Sequence, residues 1–65
     1  MLTFPKSMVD RFVKQDNELR YGQEFWQWAR LDKVQGSDRI FCDQLYQADG
    51  DEARSMIDSR TDPMQ

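Results

Sequence analysis

Residues 19–31 read LRYGQEFWQWARL and predict the central element of the fold. On a helical wheel of about 100° per residue, the aromatic and small residues of this stretch fill one arc, from about 180° to 360°. Its polar residues lie between about 20° and 140°, and Leu31, at about 120°, is the one large apolar residue among them. The stretch is therefore predicted to form an amphipathic helix over residues 18–32.

The whole chain is short. It has 65 residues, with two Trp, two Tyr and four Phe. A domain of this length buries only about 60% of its unfolded surface, so it needs large core residues, a staple or a partner. The single cysteine, Cys42, excludes an internal disulfide. We expect one domain over residues 1–62, filled by aromatic residues, with residues 63–65 as a frayed tail.

A shorter helix is predicted before the central one. Residues 1–4 are too few to form an element, and Pro5 suits the first turn of a helix. Ser7 and Asp10 have the spacing of an N-cap and a third-position acid, and the helix is expected to run to about Gln15. Its predicted buried face consists of Met8, Val9, Phe12 and Val13. The fold class is therefore all-α, a small bundle of three to four short helices.

Two details of the central helix suggest how it packs. Asp16-Asn17 is predicted to supply its N-cap. Gly22 lies in the middle of the apolar arc, where glycine costs about 1 kcal/mol relative to alanine in a helix. Phe25 lies beside it, and Ala29 lies two turns on. We interpret Gly22 as a point of close approach for another element rather than as a kink.

Two more helices are predicted after residue 36. Gly36 is a candidate stop, and a helix over 38–48 is favoured over a strand because apolar alternation fails there. Asp49 and Glu52 have the capping spacing for a fourth helix, which is expected to stop at 61–63. The apolar positions of these two helices are Ile40, Phe41, Leu45, Ala48, Ala53, Met56 and Ile57.

Charge argues against direct binding of nucleic acid. Residues 1–36 carry six basic and five acidic side chains, and residues 37–65 carry three basic and seven acidic ones. A recognition helix over 38–48 would bring Asp38 and Asp43 towards phosphates. The acidic half leaves one alternative open, a surface that imitates nucleic acid and inhibits a DNA- or RNA-binding protein.

Catalysis, metals and cofactors are not expected. The sequence has no histidine, the commonest general base and zinc ligand. Cys42 is interpreted as a small buried thiol. Asp49, Asp51 and Glu52 do not meet calcium-loop spacing, because the glycine falls second. We predict that the protein is not an enzyme and holds neither a cofactor nor a metal.

Protein–protein interaction is the leading functional hypothesis. Two tryptophans at opposite margins of one helical arc are hard to bury together, and exposed tryptophan beside tyrosine and arginine is typical of interface hot spots. The candidate partner-binding residues are Tyr21, Trp26, Trp28 and Arg30. The partner would be another protein, or a second copy of the chain in a homodimer.

The segment Asn17–Gln23, NELRYGQ, resembles a Pro-Glu-Leu-Arg-x-Gly-Gln stretch that opens a helix in short, uncharacterised proteins of tailed phages. In those proteins an acidic segment with an aromatic residue follows, as in 38–43 here. Asn17 replaces the usual proline, and Arg39-Ile40 interrupts the acidic segment. The resemblance covers about a third of the chain, implies a phage or prophage origin, and assigns no activity or site residue.

The expected location is the cytoplasm. The N-terminus has no apolar run of secretory length, and no segment approaches the roughly 20 apolar residues of a membrane span. A lone cysteine fits a reducing compartment. In a phage-encoded protein this location would be the host cytoplasm.

Overall fold

The computed structural model describes residues 2–63. In chain order their elements are strand β1 (Phe4–Pro5), helix α1 (Lys6–Arg11), helix α2 (Tyr21–Trp28), a 3₁₀ turn (Leu31–Lys33), helix α3 (Asp38–Gln47), helix α4 (Gly50–Ser59) and strand β2 (Thr61–Asp62). The predicted all-α class is confirmed, because helices dominate and the strands form only a two-residue pair. Helix α2 is central and contacts α3, α4 and the 3₁₀ turn.

The core lies where α2 meets α3 and α4. Phe25 of α2 and Leu45 of α3 are fully buried. The other buried apolar residues are Phe4, Leu31, Cys42, Ala48, Ala53 and Ile57. The Phe4 ring meets the Phe25 ring edge-on, with 5.2 Å between centroids. Aromatic side chains thus supply much of the core volume that so short a chain needs.

The predicted close approach at Gly22 is confirmed. A Cβ at this position would overlap the carbonyl oxygen of Leu45 and would lie 2.8 Å from that of Ala48. The Gly22 N–H donates to the Ala48 carbonyl at 3.1 Å. The element that approaches is therefore the backbone at the C-terminal end of α3.

We expect Gly22→Ala to destabilise the fold by about 3 kcal/mol. Alanine favours a helix by about 1 kcal/mol, but the added methyl group meets carbonyl oxygens that cannot turn aside as a side chain could. Urea denaturation of Gly22→Ala and of the exposed control Gln44→Ala measures the difference. Equal unfolding midpoints would show that α2 and α3 are not in backbone contact.

Helix α2 is shorter than the predicted helix over 18–32, which is wrong at both ends. Regular helix begins at Tyr21 and ends at Trp28, and Arg30 then adopts the left-handed conformation, with φ of 58° and ψ of 48°. This reversal turns Leu31 into the core, where it is 4% exposed. A continuous helix would have placed Leu31 on the polar face.

Arg30→Gly is expected to stabilise the protein by about 1 kcal/mol, because a side chain with a Cβ is disfavoured in the left-handed region. The matched control is Arg30→Ala, which keeps the Cβ and loses the same exposed ion pair with Asp32, at 3.5 Å. Thermal or urea unfolding compares the two variants. If both change stability equally, the backbone at position 30 is not strained.

Helix α1 also ends before its predicted limit at Gln15. It stops at Arg11, and Phe12 is already extended, with φ of −74° and ψ of 128°. Val13 was predicted to be buried but is 67% exposed, because the helical period does not continue to it. The residues of the predicted face that do pack against the core are Met8, Val9 and Phe12.

The predicted Ser7 cap of α1 is wrong. Pro5 occupies the N-cap position in an extended conformation, and no side chain caps the helix. Asp10 instead pairs with Lys6 across one helical turn, at 3.0 Å. This pair is exposed and contributes little to stability.

Asp49 caps two helices at once. Its Oδ1 accepts hydrogen bonds from the Gly50 N–H at 2.8 Å and from the Tyr21 N–H at 3.0 Å. The predicted Asp49 cap of α4 is thereby confirmed. The predicted Asn17 cap of the central helix is wrong, because Asp49 satisfies the start of α2 from 28 residues away. The backbone N–H groups of Tyr21 and Gly50 lower the pKa of Asp49 below its ordinary value.

Helix α3 confirms the prediction of helix over strand for this segment. Gly36 precedes it with a φ of +78°, but the prediction that Gly36 stops the central helix is wrong, because α2 already ends at Trp28. Ile40 was predicted to be buried but is 64% exposed, whereas Cys42 and Leu45 are fully buried. The buried face of α3 is therefore rotated from Ile40 towards Cys42.

The two ends of the described chain pair as parallel strands, which the sequence did not predict. Phe4 lies opposite Thr61, and the Phe4 N–H donates to the Arg60 carbonyl at 2.7 Å. The predicted stop of α4 at 61–63 is therefore late, since α4 ends at Ser59. Of the predicted tail, residues 64–65 lie outside the described residues.

Arg60 fastens this junction. Its guanidinium donates to the Leu2 carbonyl at 3.2 Å and to Asp38 at 3.4 Å, and it lies 4.2 Å from the centre of the Phe41 ring. The Leu2 N–H and the Arg60 guanidinium lower the pKa of Asp38. The start of α3, at Asp38, is thus linked to both ends of the described segment, through Leu2 and Arg60.

Candidate interaction surface

Trp28 is the large aromatic residue that the fold leaves at the surface, with 43% of it exposed. Its ring is supported from behind by Phe12 at 5.2 Å and by Phe25 at 5.9 Å between centroids. Val13, 67% exposed, borders the same groove. The sequence left open which tryptophan would be exposed, and the structure places Trp28 there.

A groove of about 470 Å³ lies on one side of the Trp28 ring. It is lined by Arg11, Phe12, Val13, Gln15, Asn17, Leu19, Glu24, Gln27 and Trp28. A second groove, of about 580 Å³, is lined by Met8, Arg11, Trp28 and Ala29. Trp28 and Arg11 line both grooves. Trp28 therefore stands as a ridge between two surface depressions.

Trp26 lies elsewhere. It precedes Trp28 by about 200° on the helical wheel and packs edge-on against Tyr46 of α3, at 5.1 Å. It is largely covered, and its indole N–H is buried with no acceptor among residues 2–63. The two predicted tryptophans therefore do not form one surface.

The remaining two candidates, Tyr21 and Arg30, also differ in exposure. Tyr21 is partly buried and touches Phe12 edge-on at 5.5 Å, so Tyr21 and Trp28 contact the same ring. Arg30 is exposed, two residues after Trp28, and pairs only weakly with Asp32. Of the four predicted residues, Trp28 and Arg30 are accessible, Tyr21 supports the surface, and Trp26 packs against α3.

Glu24 organises the loop that forms one wall of the groove, a role that the sequence did not reveal. It is only 8% exposed. Its two oxygens accept from the Gln15 backbone N–H and from Asn17 Nδ2, both at 2.7 Å. Lys14 Nζ lies 3.4 Å away and compensates its charge. On the wheel Glu24 was an ordinary polar residue, and the loop that binds it has no periodic pattern.

The hydrogen bonds to Glu24, from the Gln15 N–H first, lower its pKa below the ordinary value of 4.5. A group whose pKa is lowered by folding stabilises the fold above its unfolded pKa, and this contribution is lost as pH falls through the folded value. We therefore expect Glu24→Gln to be clearly less stable than the wild type at pH 7. The difference should shrink below about pH 4.5.

Urea unfolding of both proteins across pH 2.5–7 tests this expectation, and other carboxylates cancel in the difference. Asp16→Asn, an exposed substitution in the same loop, removes the same charge and is the control. A Glu24→Gln effect no larger than that of Asp16→Asn at pH 7 would contradict the role of Glu24.

Residues 2–63 expose neither a free thiol nor a cluster of metal ligands. Cys42 is fully buried, and burial, with Asp38 and Asp43 nearby, raises the pKa of its thiol. Within residues 2–63 no cluster of three or more His, Cys, Asp or Glu side chains is arranged to hold a metal ion. The Asp49 carboxylate, once a candidate ligand, is engaged by two backbone N–H groups.

Comparisons with protein-family models, with curated proteins and with solved structures find no match to this chain. No helix among residues 2–63 has the length and apolar character to cross a membrane.

Proposed function

We propose that this protein is a non-enzymatic protein–protein interaction module that binds its partner through the surface around Trp28. One observation carries the proposal: Trp28 remains 43% exposed, in the same groove as Val13, although a chain of 65 residues needs its large side chains in the core. Exposing such residues has a cost in a marginal domain, and burial against a partner would recover it.

The support beneath Trp28 favours a binding role over accidental exposure. Phe12 and Phe25 hold the ring from behind, and Glu24 fixes the loop that carries Phe12 and Val13. A ring held in place loses little conformational freedom on binding, which strengthens an interaction. Tryptophan in such a setting is the commonest kind of hot-spot residue.

Sequence features support the rest of the proposal, which concerns catalysis, location and origin. The absence of histidine and the burial of Cys42 support a protein without catalytic activity or cofactor. The lone cysteine supports a cytoplasmic location. The resemblance of Asn17–Gln23 to tailed-phage proteins supports a phage or prophage accessory protein, whose partner would be a host or phage protein in the bacterial cytoplasm.

The acidic half is a weaker candidate for the binding surface. Two of its carboxylates, Asp38 and Asp49, are engaged in hydrogen bonds with the backbone of other elements. Asp51 and Glu52 remain exposed on the first turn of α4, where acids stabilise the helix itself. They are the residues through which an inhibitor that imitates nucleic acid would be tested.

Affinity capture from the bacterial host supplies the partner, and variants of the intact protein then identify the surface. We expect Trp28→Ala to weaken binding by about a hundredfold, the loss typical of a hot spot. Trp26→Phe is the matched control, since it changes the other tryptophan and keeps an aromatic ring against Tyr46. Its affinity should stay near that of the wild type.

The double variant Asp51→Lys with Glu52→Lys reverses the charge of the acidic surface and tests the alternative in which that surface binds the partner. Loss of binding in that variant, with Trp28→Ala unaffected, would replace the proposed surface by the acidic one. Light scattering at high micromolar concentration addresses self-association. A dimer that Trp28→Ala dissociates would mean that the Trp28 surface binds a second copy.

A further inference from the structure

Arg11 connects the two grooves that flank Trp28, since its side chain lines both of them. It is exposed at the last turn of α1. Among residues 2–63 its guanidinium makes no hydrogen bond and no ion pair, whereas Arg30, Arg39 and Arg60 each have a carboxylate partner. Both grooves thus have an uncompensated cation at their edge.

The carboxylate in the 470 Å³ groove does not cancel this charge. Glu24 is the acidic residue among the lining side chains, and it already accepts hydrogen bonds from Gln15 and Asn17 with Lys14 at 3.4 Å. The 580 Å³ groove has no acidic lining residue among those described. The groove beside Phe12 and Val13 is therefore mainly apolar, Met8 and Ala29 line the other groove, and the edge that they share is positive at Arg11.

From this charge pattern we propose that the surface binds an acidic segment of a partner protein. Apolar side chains of the segment lie on either side of the Trp28 ring, and an Asp or Glu carboxylate pairs with the Arg11 guanidinium. The guanidinium presents planar donors that match a carboxylate in a bidentate pair. This inference rests on the proposed function and adds the chemistry of the partner to it.

A second copy of the chain fits this surface less well than a different protein does. Twofold dimers place the same patch on both sides of the interface. If the two Trp28 rings met at the twofold axis, Arg11, which lines both grooves beside Trp28, would lie close to Arg11 of the other copy, and Glu24, the acidic residue among the lining side chains, is already engaged. Like charges at an interface disfavour association. The occupant of this surface is therefore a partner protein with acidic residues.

Short random peptides displayed as a library and selected on the intact wild-type protein are the probe. We expect the selected sequences to combine Leu, Phe or Trp with Asp or Glu, and to depend on Trp28. A synthetic peptide from this set should bind Arg11→Glu at least about tenfold more weakly than wild type, and its affinity should fall with added salt. Lys33→Glu, the same charge change outside both grooves, should bind as the wild type does.

Val13→Asp provides a second variant, because Val13 is 67% exposed and its replacement leaves the core intact. It should weaken peptide binding even if Trp28→Ala unfolds. Selection of neutral or basic sequences, failure to select any peptide, or equal affinity of wild type and Arg11→Glu would each overturn the acidic partner. If Trp28→Ala abolishes binding but Arg11→Glu binds as tightly as the wild type, the acidic partner is overturned and the proposed function stands. Binding that is independent of Trp28 and Val13 would overturn the proposed function as well.

Discussion

The contact between the Gly22 backbone and the end of α3 constrains the whole fold. No side chain separates the two elements there, so the Leu45 and Ala48 carbonyls meet α2 directly. Asp49, the next residue, then caps both α2 and α4 with one oxygen. Three helices are thereby fixed at one point, and the orientation of α2 about its axis follows from it.

That orientation determines which tryptophan is exposed. With Gly22 against α3, Phe25 points into the core, and Trp26 turns towards Tyr46. Trp28, nearly opposite Trp26 on the helix, is left at the margin over Phe12. The core and the candidate surface are therefore two results of one packing contact, and Glu24 adds the second wall by holding the loop after α1.

The sequence predicted what depends on local periodicity and missed what depends on distant partners. The all-α class, the packing at Gly22 and the Asp49 cap of α4 follow from patterns within a few residues. Leu31 and Val13 were misplaced because a helical wheel extends a helix past the point where it ends. Glu24 could not be recognised, because its partners belong to an irregular loop whose path only the complete fold determines.

The pairing of Phe4 with Thr61 has a consequence for how the chain reaches this structure. Small helical proteins usually fold quickly because most of their contacts are between near neighbours in sequence. Here the Phe4 ring belongs to the core, yet its backbone is held by Arg60, so the closing event spans almost the entire described chain. Loop-closure entropy opposes that event until α4 is in place. During synthesis, Phe4 emerges long before α4 and therefore reaches its place only after α4 has been made.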